Sequence, residues 1–288
     1  MTYFQVSAAL LRVILYSLTA FALPAVAATT DIVLYAFGDT GDCDRPGTAL
    51  VSAALKAQAD ISSAVIVELG DLAYPTATRA RLLECHEPYW AQFRKRLAVP
   101  GNHDWRDPQA AGFFSIFPEP VPRHVDLAGP WRLFLLDSNL RDEAWAAQLR
   151  WLDHARLEAA GKCVIAAWHH PRWSSGGHGD DAGIADLWQK VAGVASLTLH
   201  GHDHHFETLP PMDGIGHVLA EGTPSFIVGT GGAGLASARE VLRGGRAVFG
   251  QWGFLRMQLD DQGYRWQMLN TDGQVLDQGR GACVRVTR

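Results

Sequence analysis

Short apolar runs of β-forming residues alternate with amphipathic stretches through most of this sequence, a rhythm that confines the chain to an α/β fold. The runs 32–37, 64–69, 132–137, 163–168, 196–200 and 225–229 have strand character. Several are apolar at consecutive positions, as strands buried on both faces are. Between them, 47–59, 77–96, 142–160 and 183–193 have helical character. In 142–160, Trp145, Leu149, Leu152 and Leu157 recur near helical spacing and are expected in the core. After residue 250 the pattern changes to GFLRMQL, YRWQML and GQVLDQG, set off by Gly or Asp-Gly turns, which predicts a terminal antiparallel meander. No internal repeat or linker interrupts the chain, so one domain over 28–288 is expected.

Residues 1–27 are expected to be a secretory signal. Arg12 is the only charged residue before Asp31, and an apolar segment ends in Ala25-Val26-Ala27. That segment is short for a membrane span, and no later one is long and apolar enough for a bilayer. A periplasmic or extracellular location follows. Four cysteines, an even number in an exported chain, allow three pairings, of which we expect Cys43–Cys85 with Cys163–Cys283. None forms a C-x-x-C pair, which argues against zinc-ribbon and thioredoxin-type sites. Without residues 1–27 the formal charge moves from −5 to −6 and no basic cluster is present. Nucleic-acid and anionic-membrane binding therefore find no support.

The polar residues best suited to chemistry share one address, just past the end of an expected strand. AFGDTGD places Asp39 there, ELGDLAY places Asp71, and AVPGNHDW places Asn102, His103 and Asp104. AAWHHPRW adds His169 and His170, and TLHGHDHHF adds His200, His202, His204 and His205. Taken singly, a Gly-Asp or Gly-Asn-His-Asp is a turn, and a lone histidine is a satisfied buried side chain. Taken together they converge, because carboxyl-end loops of an open α/β sheet meet in one crevice. In an extended segment His202 and His204 point the same way and can reach one metal centre. Two aspartates, an asparagine and three histidines are hard oxygen and borderline nitrogen ligands without thiolate. That set exceeds one tetrahedral zinc and suits two metals bridged by a carboxylate, an arrangement matched to displacement at phosphorus.

In order along the chain, Gly38-Asp39-x-Gly41, Gly70-Asp71-x-x-Tyr74, Gly101-Asn102-His103-Asp104, a strand ending in His169, and Gly201-His202-x-His204 resemble the motif set of the calcineurin-like metallophosphoesterases. More narrowly they resemble the purple acid phosphatase branch, in its small single-domain form. The match runs from about residue 32 to residue 232. The resemblance implies a four-layer αββα sandwich with two central mixed β-sheets. It also implies one metal held by Asp39, Asp71, Tyr74 and His204, and another by Asp71, Asn102, His169 and His202, with Asp71 bridging. His103 is similar to the family histidine that contacts the phosphoryl or leaving oxygen, with Asp104 orienting its ring. His178, in SSGGHGDD, stands where related phosphatases carry a histidine that protonates the leaving group. His170 faces substrate or supports a ligand, and His200 and His205 are expected to be structural.

The usual first motif of the family is Asp-x-His, and Gly41 occupies that histidine's position. Branches that lack it use the tyrosine of Gly-Asp-x-x-Tyr, so Tyr74 is the expected replacement. A phenolate favours a hard, highly charged ion, and the resemblance implies Fe(III) beside a divalent Fe, Zn or Mn. The implied activity is hydrolysis of small phosphomonoesters, with a phosphodiesterase or nucleotidase using Zn or Mn as the alternative. A metallo-β-lactamase-like site would want H-x-H-x-D-H, and HGHDHH has histidine where that aspartate falls. A non-catalytic binding protein would be expected to lack a ligand or His103, and neither is missing. Trp105, Arg123, Arg172, Trp173 and His217 are candidates for leaving-group contacts, or ordinary surface and packing residues.

Overall fold

The structure, a computed structural model, describes Met1 and residues 31–287; the expected signal segment falls almost wholly outside the described residues. The strands are β1 (Ile32–Phe37), β2 (Val65–Glu68), β3 (Arg96–Ala98), β4 (Arg123–Asp126), β5 (Trp131–Leu135), β6 (Cys163–Ala167), β7 (Leu197–His200), β8 (Phe206–Met212), β9 (Thr223–Val228), β10 (Arg246–Val248), β11 (Gly253–Leu259), β12 (Gly263–Asn270) and β13 (Val275–Ala282). The α-helices are α1 (Gly47–Lys56), α2 (Arg79–Cys85), α3 (Glu87–Trp90), α4 (Asn102–Trp105), α5 (Ala111–Ile116), α6 (Asp142–Glu158) and α7 (Ala185–Val191).

Two mixed sheets result. One runs β13-β12-β11-β1-β2-β3, with β1, β2 and β3 parallel and β11 to β13 forming the expected antiparallel meander. The other runs β10-β8-β9-β7-β6-β5-β4, with β5, β6, β7 and β9 parallel. Strand alternation sorts the core into layers. In β1, Leu34 and Ala36 enter the core between the sheets with Val67, Leu133, Ile165, Leu199 and Met257. Tyr35 and Phe37 point the other way, onto Val51 and Leu55 of α1 and Trp90 of α3. On the far face of the second sheet Phe134, Val164 and Ala166 pack under α6 and α7. Helix, sheet, sheet and helix make the four layers.

Asp142 and Glu143 start α6, and Arg156 ends it, each on the favourable side of the helix dipole. Its buried residues are Gln148, Leu152 and Ala155, whereas Leu157 is 68% exposed and corrects the expected core stripe. Gln148 is inside because its amide brackets the Asp137 backbone, accepting from its N–H at 2.8 Å and donating to its carbonyl at 2.9 Å. The single helix expected over 77–96 is likewise two short ones and a strand. The break falls at His86, whose ring is committed to Glu68 and Glu87, and Pro88 follows in the first turn of α3. Cys43–Cys85 and Cys163–Cys283 are both bonded, as expected.

Candidate metal centre

The carboxyl ends of β1, β2, β6 and β7, with the loop after β3, converge at one rim. Asp39, Asp71 and His202 all take left-handed backbone conformations, with φ of 59°, 54° and 71°. Non-glycine residues enter this region at a cost, and such outliers gather at functional sites. Here the turn aims each side chain inward while spending its backbone on the neighbouring loop: Asp39 N–H donates to Gly70 O at 2.9 Å, and His202 N–H donates to Asp39 Oδ2 at 2.9 Å. Asp39 and Asp71 are 0% and 2% exposed.

Four donor atoms meet on one side. Tyr74 Oη lies 2.9 Å from Asp39 Oδ1, 3.2 Å from Asp71 Oδ2 and 3.0 Å from His204 Nε2, and His204 Nε2 lies 3.3 Å from Asp39 Oδ1. On the other side His169 Nε2 lies 3.3 Å from Asp71 Oδ2 and 3.2 Å from Asn102 Oδ1. A ring nitrogen of His202 lies close by, since His169, His170 and His202 each offer one within 4.8 Å of the others. Asp71 Oδ2 thus belongs to both groups, and Asp71 Oδ1 accepts the His103 N–H at 2.7 Å.

The backbone settles the tautomers. His169 Nδ1–H donates to Leu69 O at 2.7 Å, and His204 Nδ1–H donates to Gly234 O. Each leaves Nε2 as the nitrogen facing the centre. Ligand atoms about 2.0–2.2 Å from one ion lie about 3 Å apart at the edges of its shell, which is the spacing seen here. The donor chemistry and the crowding both fit a pair of cations.

Electrostatics without cations shows how tightly the groups are coupled. Burial, then the Asp39 and Asp71 charges, push the Tyr74 phenol well above its ordinary 10.0. A bound cation reverses that preference and favours the phenolate. Burial opposes charge on His169, but the Asp71 carboxylate outweighs it and pushes the imidazole up to about 10. Burial, followed by the imidazoles of His169, His170 and His178, pushes His202 down to about 2.

Gly41, where the family's usual imidazole would stand, has no room for one. A Cβ at this position would lie 2.1 Å from Leu72 O and 2.8 Å from Ala73 Cα, because residue 41 bridges to Ala73. This backbone admits no side chain at 41. Tyr74, whose N–H donates to Gly41 O at 3.1 Å, leaves the same bridge and reaches the centre.

His103 donates from Nδ1 to Pro75 O at 2.6 Å, which turns Nε2 toward Asp71 Oδ2, 3.9 Å away. The expectation that Asp104 orients this ring is corrected. Its carboxylate accepts the N–H groups of Gly101, Asp71 and Leu72 at 2.7, 2.9 and 3.1 Å, so it fixes the backbone carrying Asp71. His178 is exposed, and its ring lies 4.1 Å from that of His202 at 32°. His170 faces His202 from another side, 4.4 Å between centroids, with Nδ1 bonded to Ser138 Oγ at 2.8 Å. His200 and His205 are buried and bonded to Thr198 and Glu207. Of the leaving-group candidates, Trp173 is buried with the guanidinium groups of Arg172 and Arg243 over its ring, Arg123 pairs with Glu119, and His217 with Asp213. Trp105 donates to Asp137 Oδ2 at 2.9 Å. The sequence reading missed Asp203, which lies between His202 and His204 and is 1% exposed; only its position between two expected ligands hinted at a role.

Similarity to known proteins is found at the level of sequence and of fold. Over 75 residues, 25% of this chain and 23% of the relative, the sequence is 32% identical to tartrate-resistant acid phosphatase type 5 of Oryctolagus cuniculus, so the chain matches under a quarter of that relative. A purple acid phosphatase from yellow lupin (Lupinus luteus) seeds superposes with a TM-score of 0.67 at 18% identity, over 88% of this chain and 54% of the lupin chain. GAP50, the anchor in the inner membrane complex of Plasmodium, superposes at 0.70 with 15% identity, over 88% and 90% of the two chains. Both likenesses concern the fold. The calcineurin-like phosphoesterase pattern itself matches residues 26–206, more than half of the sequence, and the chain belongs to that family.

Proposed function

We propose that this chain is an exported, two-metal phosphomonoesterase of the purple acid phosphatase type. The observation that carries the reading is the pair of donor groups sharing Asp71 Oδ2. Asp39, Asp71, Tyr74 and His204 would hold one ion, and Asp71, Asn102, His169 and His202 the other. When bound, the ions supply Lewis acidity toward a phosphoryl oxygen and an acidified water. Tyr74 favours Fe(III) at its own position, with a divalent Fe, Zn or Mn beside it.

The chain's own residues do the rest. His103, its Nδ1 proton committed to Pro75 O, presents Nε2 to a phosphoryl oxygen over Asp71. Asp104 holds the turn that places Asp71. His178 stands at the exposed side of His202, where an ester oxygen departs, and donates a proton to it. Two disulfides suit an oxidising compartment and support export.

The test is the visible absorption of the iron-loaded protein, wild type beside Tyr74→Phe, followed by rates on phosphomonoesters and phosphodiesters. A charge-transfer band lost in the variant, with faster turnover of monoesters, is the expected result. A colourless Zn or Mn protein that prefers diesters would overturn it.

A further inference from the structure

His178 sits in Ser174-Ser175-Gly176-Gly177-His178-Gly179, a composition that would be mobile if nothing held it. Two buried carboxylates hold it. One oxygen of Asp203 accepts the Ser174 hydroxyl, and the other accepts the His178 N–H at 2.9 Å. Ser174 Oγ in turn accepts the Gly176 N–H at 2.9 Å. The fit is close, since a Cβ at Gly176 would lie 2.3 Å from Asp203 Cγ. Glu207, at the start of β8 and 0% exposed, accepts both the hydroxyl and the N–H of Ser175, at 2.5 and 2.9 Å.

Burying a carboxylate costs several kcal/mol unless charge or hydrogen bonds offset it. Among the described residues no Lys, Arg or His side chain pairs with Asp203. Among the described residues its carboxylate bonds to the loop alone. An asparagine would offer one acceptor oxygen where two donors converge, so the residue type matches the loop's needs and not the core's.

We propose that Asp203 is a positioning residue. Placed between His202 and His204, it clamps the 174–178 loop to the metal-binding turn and fixes His178 over His202 to protonate the leaving group. The inference rests on the phosphoesterase reading above. In the step concerned, an oxygen from water bonds to phosphorus, the ester P–O bond breaks with its electron pair going to the leaving oxygen, and a His178 N–H proton moves to that oxygen. The neutral imidazole then regains a proton from solvent.

The test compares wild type, Asp203→Asn and the milder Ser174→Ala on p-nitrophenyl phosphate and an alkyl phosphate, with bound metal measured in each. A good leaving group needs little protonation, so Asp203→Asn should stay within about threefold of wild type on the nitrophenyl ester and fall about 100-fold on the alkyl ester. Ser174→Ala should shift the same ratio less. Adding His178→Asn to Asp203→Asn should bring no further loss on the alkyl ester. Equal losses on both esters, with metal retained, would overturn the proposal. Hydrogen–deuterium exchange over 172–181 in the metal-free protein reads the clamp without any activity. Faster exchange in Asp203→Asn supports the clamp, and unchanged exchange overturns it. A wild type that hydrolyses neither ester would count against the phosphoesterase reading, and the exchange result would still decide the clamp.

Discussion

Strand β2 ends in two buried clusters of carboxylate and imidazole that differ in how their charges are spent. Glu68, its last residue, accepts Arg96 Nε at 2.6 Å and His86 Nε2 at 2.7 Å. Glu87 closes the ring by accepting Arg96 at 2.8 and 3.2 Å and His86 Nδ1 at 3.0 Å. Every anion there faces a cation. Three residues further on, Asp71, joined by Asp39 from the end of β1, faces a phenol, imidazoles and amides, and among the described residues no Lys or Arg bonds to either. The first cluster is self-sufficient and braces α2, α3 and β3 against β2. The second leaves lone pairs converging on a common volume, which is what a cation needs. Burial and residue type alone do not separate scaffold from site; the balance of charge within hydrogen-bond reach does.

The contrast breaks cleanly under mutation. Asp71→Asn should remove the charge shared by both donor groups and lower phosphoester turnover by at least about 10³-fold, while circular dichroism stays native. Retention of a tenth of the activity would sink the shared-ligand reading. Glu68→Ala should do the reverse. It leaves Arg96 and His86 short of a buried partner and costs about 3–5 kcal/mol in denaturant unfolding, with metal stoichiometry unchanged in the folded protein. His103→Ala should keep both ions and slow turnover by about 10²-fold, and loss of metal instead would move it into the ligand set.

The smallest effect is one of pH. Burial opposes ionisation of Glu87, but hydrogen bonds from His86 and Arg96 outweigh it and bring its carboxyl from the ordinary 4.5 down to about 2. A depressed folded-state pKa means the stabilisation is complete above about pH 4.5 and is lost as pH falls toward 2. Glu87→Gln should therefore melt lower than wild type at neutral pH, by about 2–4 °C for ~1 kcal/mol, with the gap closing in acid. A gap that persists at pH 2 would assign the difference to packing.

Much of this molecule was legible in order along the chain. Strands 32–37 and 163–168 announce themselves because both faces are apolar, and the donors stand out because Asp, Asn and His recur at strand ends. What failed depended on distant partners. β8 contains Pro210 and Pro211, which argue against a strand, yet its pairing with β9 shifts register between Leu209 and Met212 and accommodates them. Leu157 is a different case: it follows Leu152 by five residues, about 140° round the helix from it, and so faces solvent. Asp104 reads as a partner of the adjacent His103, whereas its three amide donors include two from the loop of Asp71. Asp203 bonds to residues 25 and 29 positions away, a relation no local pattern carries.

The central claim is that one carboxylate oxygen serves two metal positions, and anomalous diffraction from metal-loaded crystals tests it most directly. Two peaks are expected, one among Asp39, Asp71, Tyr74 and His204 and one among Asp71, Asn102, His169 and His202, with Asp71 Oδ2 between them. A single ion, or an ion held by His169, His170 and His202 without Asp71, would contradict the account.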